Sequence, residues 1–206
     1  MIELIVNKDK DKDKKIIAEV ENGNLVEIYE ENDESKKARN EGNIYIGIVR
    51  DVIKGMQSAF VDIGTEKNSF IHLKDVLPKV DEKKGLQVEE TDITKVLKPK
   101  QKLLVQVKKD SNSNKGARVS THINLPSKYI VLMPNTDIIT VSQKIENKEE
   151  QKRLIELVKN NLSKNNGAII RTSAEGKKEE IIKDIKYIEN VWKNITETSI
   201  DSKSNK

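Results

Sequence analysis

GNIYIGIVRDVIKGMQSAFVDIGTEKNSFIH (residues 42–72) decides how this chain is read. Its apolar residues alternate with polar ones, the period of half-buried strands and not of helices. Strands are therefore expected over 45–53, 58–63 and 68–72. They would bring Tyr45, Phe60, Phe70 and His72 close together. The chain has only seven aromatic residues, and three of them, with one of its two histidines, fall within this stretch. Flat rings clustered on strands offer a surface on which the bases of a single-stranded nucleic acid stack, largely without regard to sequence. On strands, phenylalanines are also common core residues, so their orientation decides between the two roles.

Charge supports the first role. The chain carries a net charge of +4, but residues 98–118 alone hold Lys98, Lys100, Lys102, Lys108, Lys109, Lys115 and Arg118 against the single acid Asp110. A concentrated basic stripe is the footprint of a phosphate-backbone binder. Lysines on a solvated edge strand would give the same composition. Charged residues make up 35% of the chain and apolar ones 35%, so much of the surface must be solvated. The absence of cysteine excludes disulfides and thiolate zinc sites and fits a reducing cytoplasm. No apolar run is long enough for a membrane helix, and the polar start MIELIVNKDK is not a secretory leader.

Working outward, residues 102–109 and 117–121 supply two further strands, which completes a five-stranded barrel over 42–121. A polar, acidic insertion over 79–92 and a short helix over 93–97 interrupt it. Residues 1–41 read as a ribbon of strands (1–6, 16–21, 25–29) with Asn22-Gly23 as a tight hairpin turn. So few strands are not stable alone and need a packing partner. Residues 122–197 change character: a strand over 129–133, a helix capped by Asn147 with Glu150 three residues on, a strand over 167–171, and a second helix. The second helix carries Ile181, Ile185, Ile188, Trp192 and Ile195 at spacings of four and three, a core seam in which Trp192 is packing. Residues 198–206 lack periodicity and are expected to be a disordered tail. The fold class is α+β.

A second constellation lies at Gly167-Ala-Ile-Ile-Arg171-Thr172-Ser173. A strand delivering an arginine and a hydroxyl to a loop before a helix N-terminus gathers a guanidinium fork, an O–H and backbone N–H groups, donors that suit a terminal phosphate. Arg-Thr at a strand end also serves as a surface salt bridge and helix cap. Acidic residues are many but lie in solvated runs. Asp62 is the best placed, and one carboxylate does not make a metal site. His72 and His122 fall in different regions. No nucleophile triad, phosphate loop or dinucleotide fingerprint is present.

In order, GNIYIGIVRDVIKGMQSAFVDIGTEKNSFIHL, NKGARVSTHINLPSKYIVLMPN and GAIIRTSAEG resemble the N-terminal part of the ribonuclease E/G family, and the resemblance covers nearly the whole chain. It implies an oligonucleotide-binding barrel of the S-one type, followed by a small α/β subdomain called the 5′ sensor. Residues 1–41 would be half of a ribonuclease-H-like subdomain. By this resemblance Phe60 and Phe70 stack bases, Lys109 and Lys115 hold phosphates, and His72 is the histidine common in such barrels. Arg171 and Thr172 would grip an RNA 5′-monophosphate, with the backbone at Ser127, where the family usually has glycine, and near Val131 completing the pocket. If that position needs φ > 0, serine there is strained. The family's catalytic aspartates and zinc link lie in later subdomains. The resemblance therefore assigns no catalytic residue, metal or cofactor to this chain, and expects Mg²⁺ in the full-length enzyme. The expected partner is single-stranded RNA, preferably 5′-monophosphorylated. The alternatives left open are a stand-alone RNA-binding regulator or translation-associated factor, and a scaffold whose barrel face binds protein.

Overall fold

A computed structural model describes residues 2–9, 14–31, 40–76, 92–112 and 114–204. Residues 79–91 of the expected insertion and most of the charged loop after residue 30 lie outside these. The chain divides into two units, residues 1–40 and 41–206.

The first unit is an antiparallel sheet in the order β1 (Ile2–Asp9), β2 (Lys14–Glu21), β3 (Asn24–Glu31). Asn22 and Gly23 turn the second hairpin with φ of 51° and 80°, the left-handed pair that Asn-Gly adopts most readily. Ile2, Leu4, Ile5, Val6, Leu25, Val26, Ile28 and Tyr29 are all more than half exposed. Those on the central strand β2, Ile16, Ile17 and Val20, are half-buried, so the sheet leaves most of its apolar side chains open, as expected of strands that need a partner to bury them.

In the second unit five strands close a barrel in the order β4-β5-β6-β8-β7. They are β4 (Ile44–Ile53), β5 (Ser58–Asp62), β6 (Ser69–His72), β7 (Lys102–Lys109) and β8 (Arg118–Ser120). Each lies where alternation placed it. β4 is long enough to pair with β5 through its second half and β7 through its first, and β6 closes on β8 in parallel. Inward positions Val49, Ala59, Val61, Ile71, Val105 and Val119 are essentially inaccessible. Between β6 and β7, α1 (Ile93–Val96) is capped by the Asp92 carboxylate, which accepts from the Thr94 N–H.

The chain continues into a mixed sheet, β11-β12-β10-β9, formed by β9 (Leu125–Pro126), β10 (Ile130–Pro134), β11 (Ile139–Val141) and β12 (Asn166–Ile170). Helices α2 (Lys148–Asn161) and α3 (Glu179–Ser204) pack on it. Leu154 and Val158 of α2, and Ile181 and Ile185 of α3, are fully buried against Ile130, Leu132 and Ile170. Trp192 and Ile195 continue that seam, partly buried. α3 runs on to Ser204, through most of the segment expected as a tail. The segment lacks an apolar period but also lacks Gly or Pro. Lys193 and Glu197 pair across one turn at 3.8 Å, and the Thr198 hydroxyl donates back to the Asn194 carbonyl.

Asn147 caps α2 as expected, its side chain accepting from the N–H groups of Glu149 and Glu150 at 2.9 and 3.2 Å. Glu150 does not reach back to complete a capping box. Its carboxylate accepts two bonds from Arg153, at 2.6 and 2.7 Å, and one from the Gly176 N–H at 2.8 Å. It thereby ties the start of α2 to the turn before α3. The Arg153 guanidinium first, and the Gly176 N–H second, hold the Glu150 carboxyl down to about 2 from its ordinary 4.5. A carboxyl lowered on folding adds stability that is full above its unfolded value and is lost as pH falls toward the folded value. The urea midpoint of Glu150→Gln is expected to lie below that of the parent at neutral pH. Between about pH 4.5 and 2 the gap should close; a gap independent of pH would refute the assignment.

Candidate nucleic-acid interface

On β5 and β6, side chains alternate between the barrel interior and its outside. Ala59, Val61 and Ile71 point in, whereas Phe60 and Phe70 are half-buried and lie outside the core cluster. The two phenylalanines are register partners, with ring centroids 6.3 Å apart and planes at 68°. They are therefore not core residues. Two positions on, His72 shares their face. Its Nδ1 accepts from the Lys74 N–H at 3.1 Å and caps the short turn Leu73–Asp75, which leaves the Nε2 edge for other partners.

Tyr45 does not join them. It sits in the half of β4 that pairs with β7, opposite Val105, whereas Phe60 pairs with Asp51 near the other end of the strand. Tyr45 instead lines an apolar groove with Ile44, Ile46 and Leu104, bordered by Asn194, Ile195 and Thr198 of α3. Asp62 is engaged by Arg50 at 2.6 Å, and this guanidinium first, then the Gly64 N–H, lowers its carboxyl below the usual range.

The basic positions come in from the other side. Lys109 is exposed at the end of β7. Exposed Lys115 sits in a turn closed by Asn112, whose side chain accepts from the Asn114 and Lys115 N–H groups and whose own N–H donates to the Lys115 carbonyl. Lys67 reaches this turn from the β5–β6 loop, 3.4 Å from the Asn112 carbonyl. Gly116 then lets the chain pass against β6: a Cβ there would stand 1.9 Å from the Asn68 carbonyl oxygen. The Phe70 N–H donates to the Ala117 carbonyl at 2.7 Å, which fixes the lysine turn beside the rings.

The second constellation is assembled around the β9–β10 hairpin. Arg171 leaves β12 with its N–H on the Tyr129 carbonyl, and its guanidinium donates to the Ser127 carbonyl at 2.6 Å. Ser173 donates to the Lys128 carbonyl at 2.6 Å. From α3, the Asp184 carboxylate accepts from the Ser127 hydroxyl and from the Tyr129 N–H. Val131 pairs with Pro126 and Ile169 one residue beyond. Arg171 and Thr172 are exposed; Ser127 and Val131 are half-buried.

Three details of this constellation were not legible in the sequence. Thr172 opens a single 3-10 turn, Thr172–Ala174, and α3 begins only at Glu179, so no long helix places its dipole at Arg171. The Ser127 N–H is committed to the Ile130 carbonyl at 2.8 Å within the hairpin. Left-handed non-glycine residues among those described are Asn22, Gln57, Lys100, Asn135 and Asn165, so Ser127 carries no such strain. Arg171 and Thr172 thus remain the outward-facing donors. Asp184 was invisible to sequence reading because nothing near it marks a helix residue as the anchor of a distant hairpin.

Among the described residues no group of three or more His, Asp or Glu side chains is placed to hold a metal ion, and no helix is long and apolar enough to cross a membrane. The closed five-stranded barrel followed by an α/β subdomain defines an α+β protein with a barrel of the OB-fold type. Comparison with known proteins narrows the class. The model of the "Ribonuclease E/G family" matches residues 124–206. Ribonuclease G of Escherichia coli is 41% identical over 187 residues, 88% of this chain and 37% of that protein. Ribonuclease G of Haemophilus influenzae is 40% identical over 95% of this chain and 40% of its own length. Ribonuclease E of a Nostoc species is 40% identical over 75% of the chain and 22% of its own. This chain belongs to the ribonuclease E/G family. It spans well under half the length of the curated relatives it matches.

Proposed function

We propose that this chain binds single-stranded RNA through its barrel and reads the RNA 5′ end through Arg171 and Thr172. It would form the recognition part of a ribonuclease E/G-type endoribonuclease acting in RNA processing and decay in the cytoplasm. The observation that carries the reading is the Phe60–Phe70 pair standing outside the core beside the Lys109 and Lys115 turn. Rings take bases, and lysines hold phosphates as point charges, so affinity should fall steeply with salt. At the other site, the Arg171 guanidinium is oriented by the Ser127 carbonyl through one nitrogen, leaving its remaining edge for a phosphate in bidentate fashion. Thr172 adds a hydroxyl. Hydrolysis is a property we assign to the full-length enzyme, with Mg²⁺ held by residues of its later subdomains.

The test uses one short unstructured RNA carrying either a 5′-monophosphate or a 5′-hydroxyl. The monophosphate is expected to bind the parent chain more tightly, by roughly 5- to 100-fold for a charge-assisted bidentate contact. Arg171→Ala should erase that difference and leave binding of the hydroxyl form unchanged. Equal binding of both RNAs by the parent would refute the sensor reading. Metal-dependent cleavage by the purified chain would refute the restriction to recognition.

A further inference from the structure

The register of the barrel carries the RNA-binding reading one subsite further. Phe60 pairs with Phe70, Phe70 pairs in parallel with Arg118, and Arg118 pairs with Lys109. Register partners project to the same face, and neighbouring strands stand about 4.8 Å apart. The outside of the barrel therefore bears a transverse row of outward positions across β5, β6, β8 and β7, namely Phe60, Phe70, Arg118 and Lys109, with the Arg118 guanidinium drawn toward Asp75 just past the end of β6. No pattern in the sequence marks Arg118 apart from the other basic residues around it. It becomes a neighbour of Phe70 only because the barrel closes through β6 and β8.

The guanidinium is held in one plane. Its Nε donates to one Asp75 carboxylate oxygen at 2.9 Å and a terminal nitrogen to the other at 3.2 Å. Asp75 is itself fixed to β8 and the residue after it: its carbonyl accepts from the Ser120 hydroxyl at 2.9 Å and from the Thr121 N–H at 2.9 Å. The acid is largely covered, whereas 56% of the arginine side chain is exposed. A planar group clamped along one edge and open on its face is a stacking platform, and base rings stack on arginine planes as they do on aromatic ones. Because Asp75 already balances its charge, the arginine has little to offer a phosphate. Lys109, next along the row, does.

We infer that Arg118 forms a third nucleobase subsite of the barrel, in line with Phe60 and Phe70, in which a base stacks on the guanidinium that Asp75 holds flat. The inference rests on the RNA-binding reading of this face. RNA would then cross the strands, with successive bases on Phe60, Phe70 and Arg118 and the backbone leaving over Lys109.

Binding of a 5′-hydroxyl oligouridylate of about six nucleotides to the parent chain, Phe60→Ala, Arg118→Lys and Arg118→Ala is measured over a range of salt. Both Arg118 variants are expected to lose affinity roughly ten-fold, with the salt slope unchanged, since lysine restores charge but not a flat face. If Arg118→Lys binds like the parent while Phe60→Ala is weakened, the subsite is overturned and the RNA-binding reading stands. It is equally overturned if Arg118→Ala lowers the slope by about 0.7 and lysine restores it, which marks a phosphate contact. A parent chain that does not bind, or binds as well with Phe60→Ala, overturns the reading and the subsite together. A scan of single abasic positions against the parent chain needs no substitution of the protein. Three sensitive positions are expected, falling to two with Arg118→Lys, and two in the parent would overturn the inference.

Discussion

Alanine at Phe60 or Phe70 is expected to weaken binding of a short unstructured RNA by about 1–3 kcal/mol each, roughly five- to 150-fold, while leaving the barrel folded. The two halves of this result separate the roles the residues could have. A phenylalanine in a core loses about 3–5 kcal/mol of stability on truncation to alanine. Phe60 and Phe70 lie outside the core cluster, so little besides their mutual edge-to-face contact, worth about 0.5–1.5 kcal/mol, is removed. The melting temperature should therefore move little as affinity collapses. Because the rings touch, each single variant also removes support from the other ring. The double variant is then expected to lose less than the sum of the singles. Titration by fluorescence anisotropy, paired with thermal denaturation, checks both halves. A large loss of stability with unchanged affinity would return these residues to the core and remove the barrel from any RNA site.

Gly116→Ala should have the opposite signature, unfolding first and binding as a consequence. The added Cβ would stand 1.9 Å from the Asn68 carbonyl oxygen and 2.8 Å from its carbon. Both are backbone atoms of the strand edge, so no rotamer change relieves the clash. Moving the chain away strains the Phe70 N–H bond to Ala117 and the seam where β6 meets β8. Overpacking of this kind costs about 1–3 kcal/mol and more where the backbone cannot shift. The urea midpoint should fall accordingly. Amide exchange at Phe70 should quicken ahead of that in the second subdomain, whose core is separate. RNA affinity should drop because the lysine turn no longer sits beside the rings. An unchanged midpoint would mean that β6 and β8 do not meet at Gly116.

The sequence determined a good deal here, for local reasons. Strict alternation fixed the five barrel strands, and the Asn22-Gly23 turn and the Asn147 cap followed from the chemistry of those residues. The isoleucine stripe of α3 announced which helix face would be buried. These features depend on neighbours within a few positions, so a linear pattern contains them. What the sequence could not contain is register between distant strands. Tyr45 looked like a member of the ring cluster because it is near in sequence, but β4 spans two neighbours and its first half belongs to β7. Arg118 looked like one basic residue among seven, yet the parallel closure of β6 on β8 sets it beside Phe70.

The same holds for the second constellation, where Arg171 and Ser173 reach across to the hairpin that carries Ser127 and Val131. The tertiary structure alone decided that the Ser127 N–H is spent within that hairpin, that Asp184 anchors it, and that a 3-10 turn replaces the helix start. The physical reason is common to all of these. Periodicity and turn chemistry choose the elements. Hydrogen-bond register and close packing between remote segments choose which side chains share a surface.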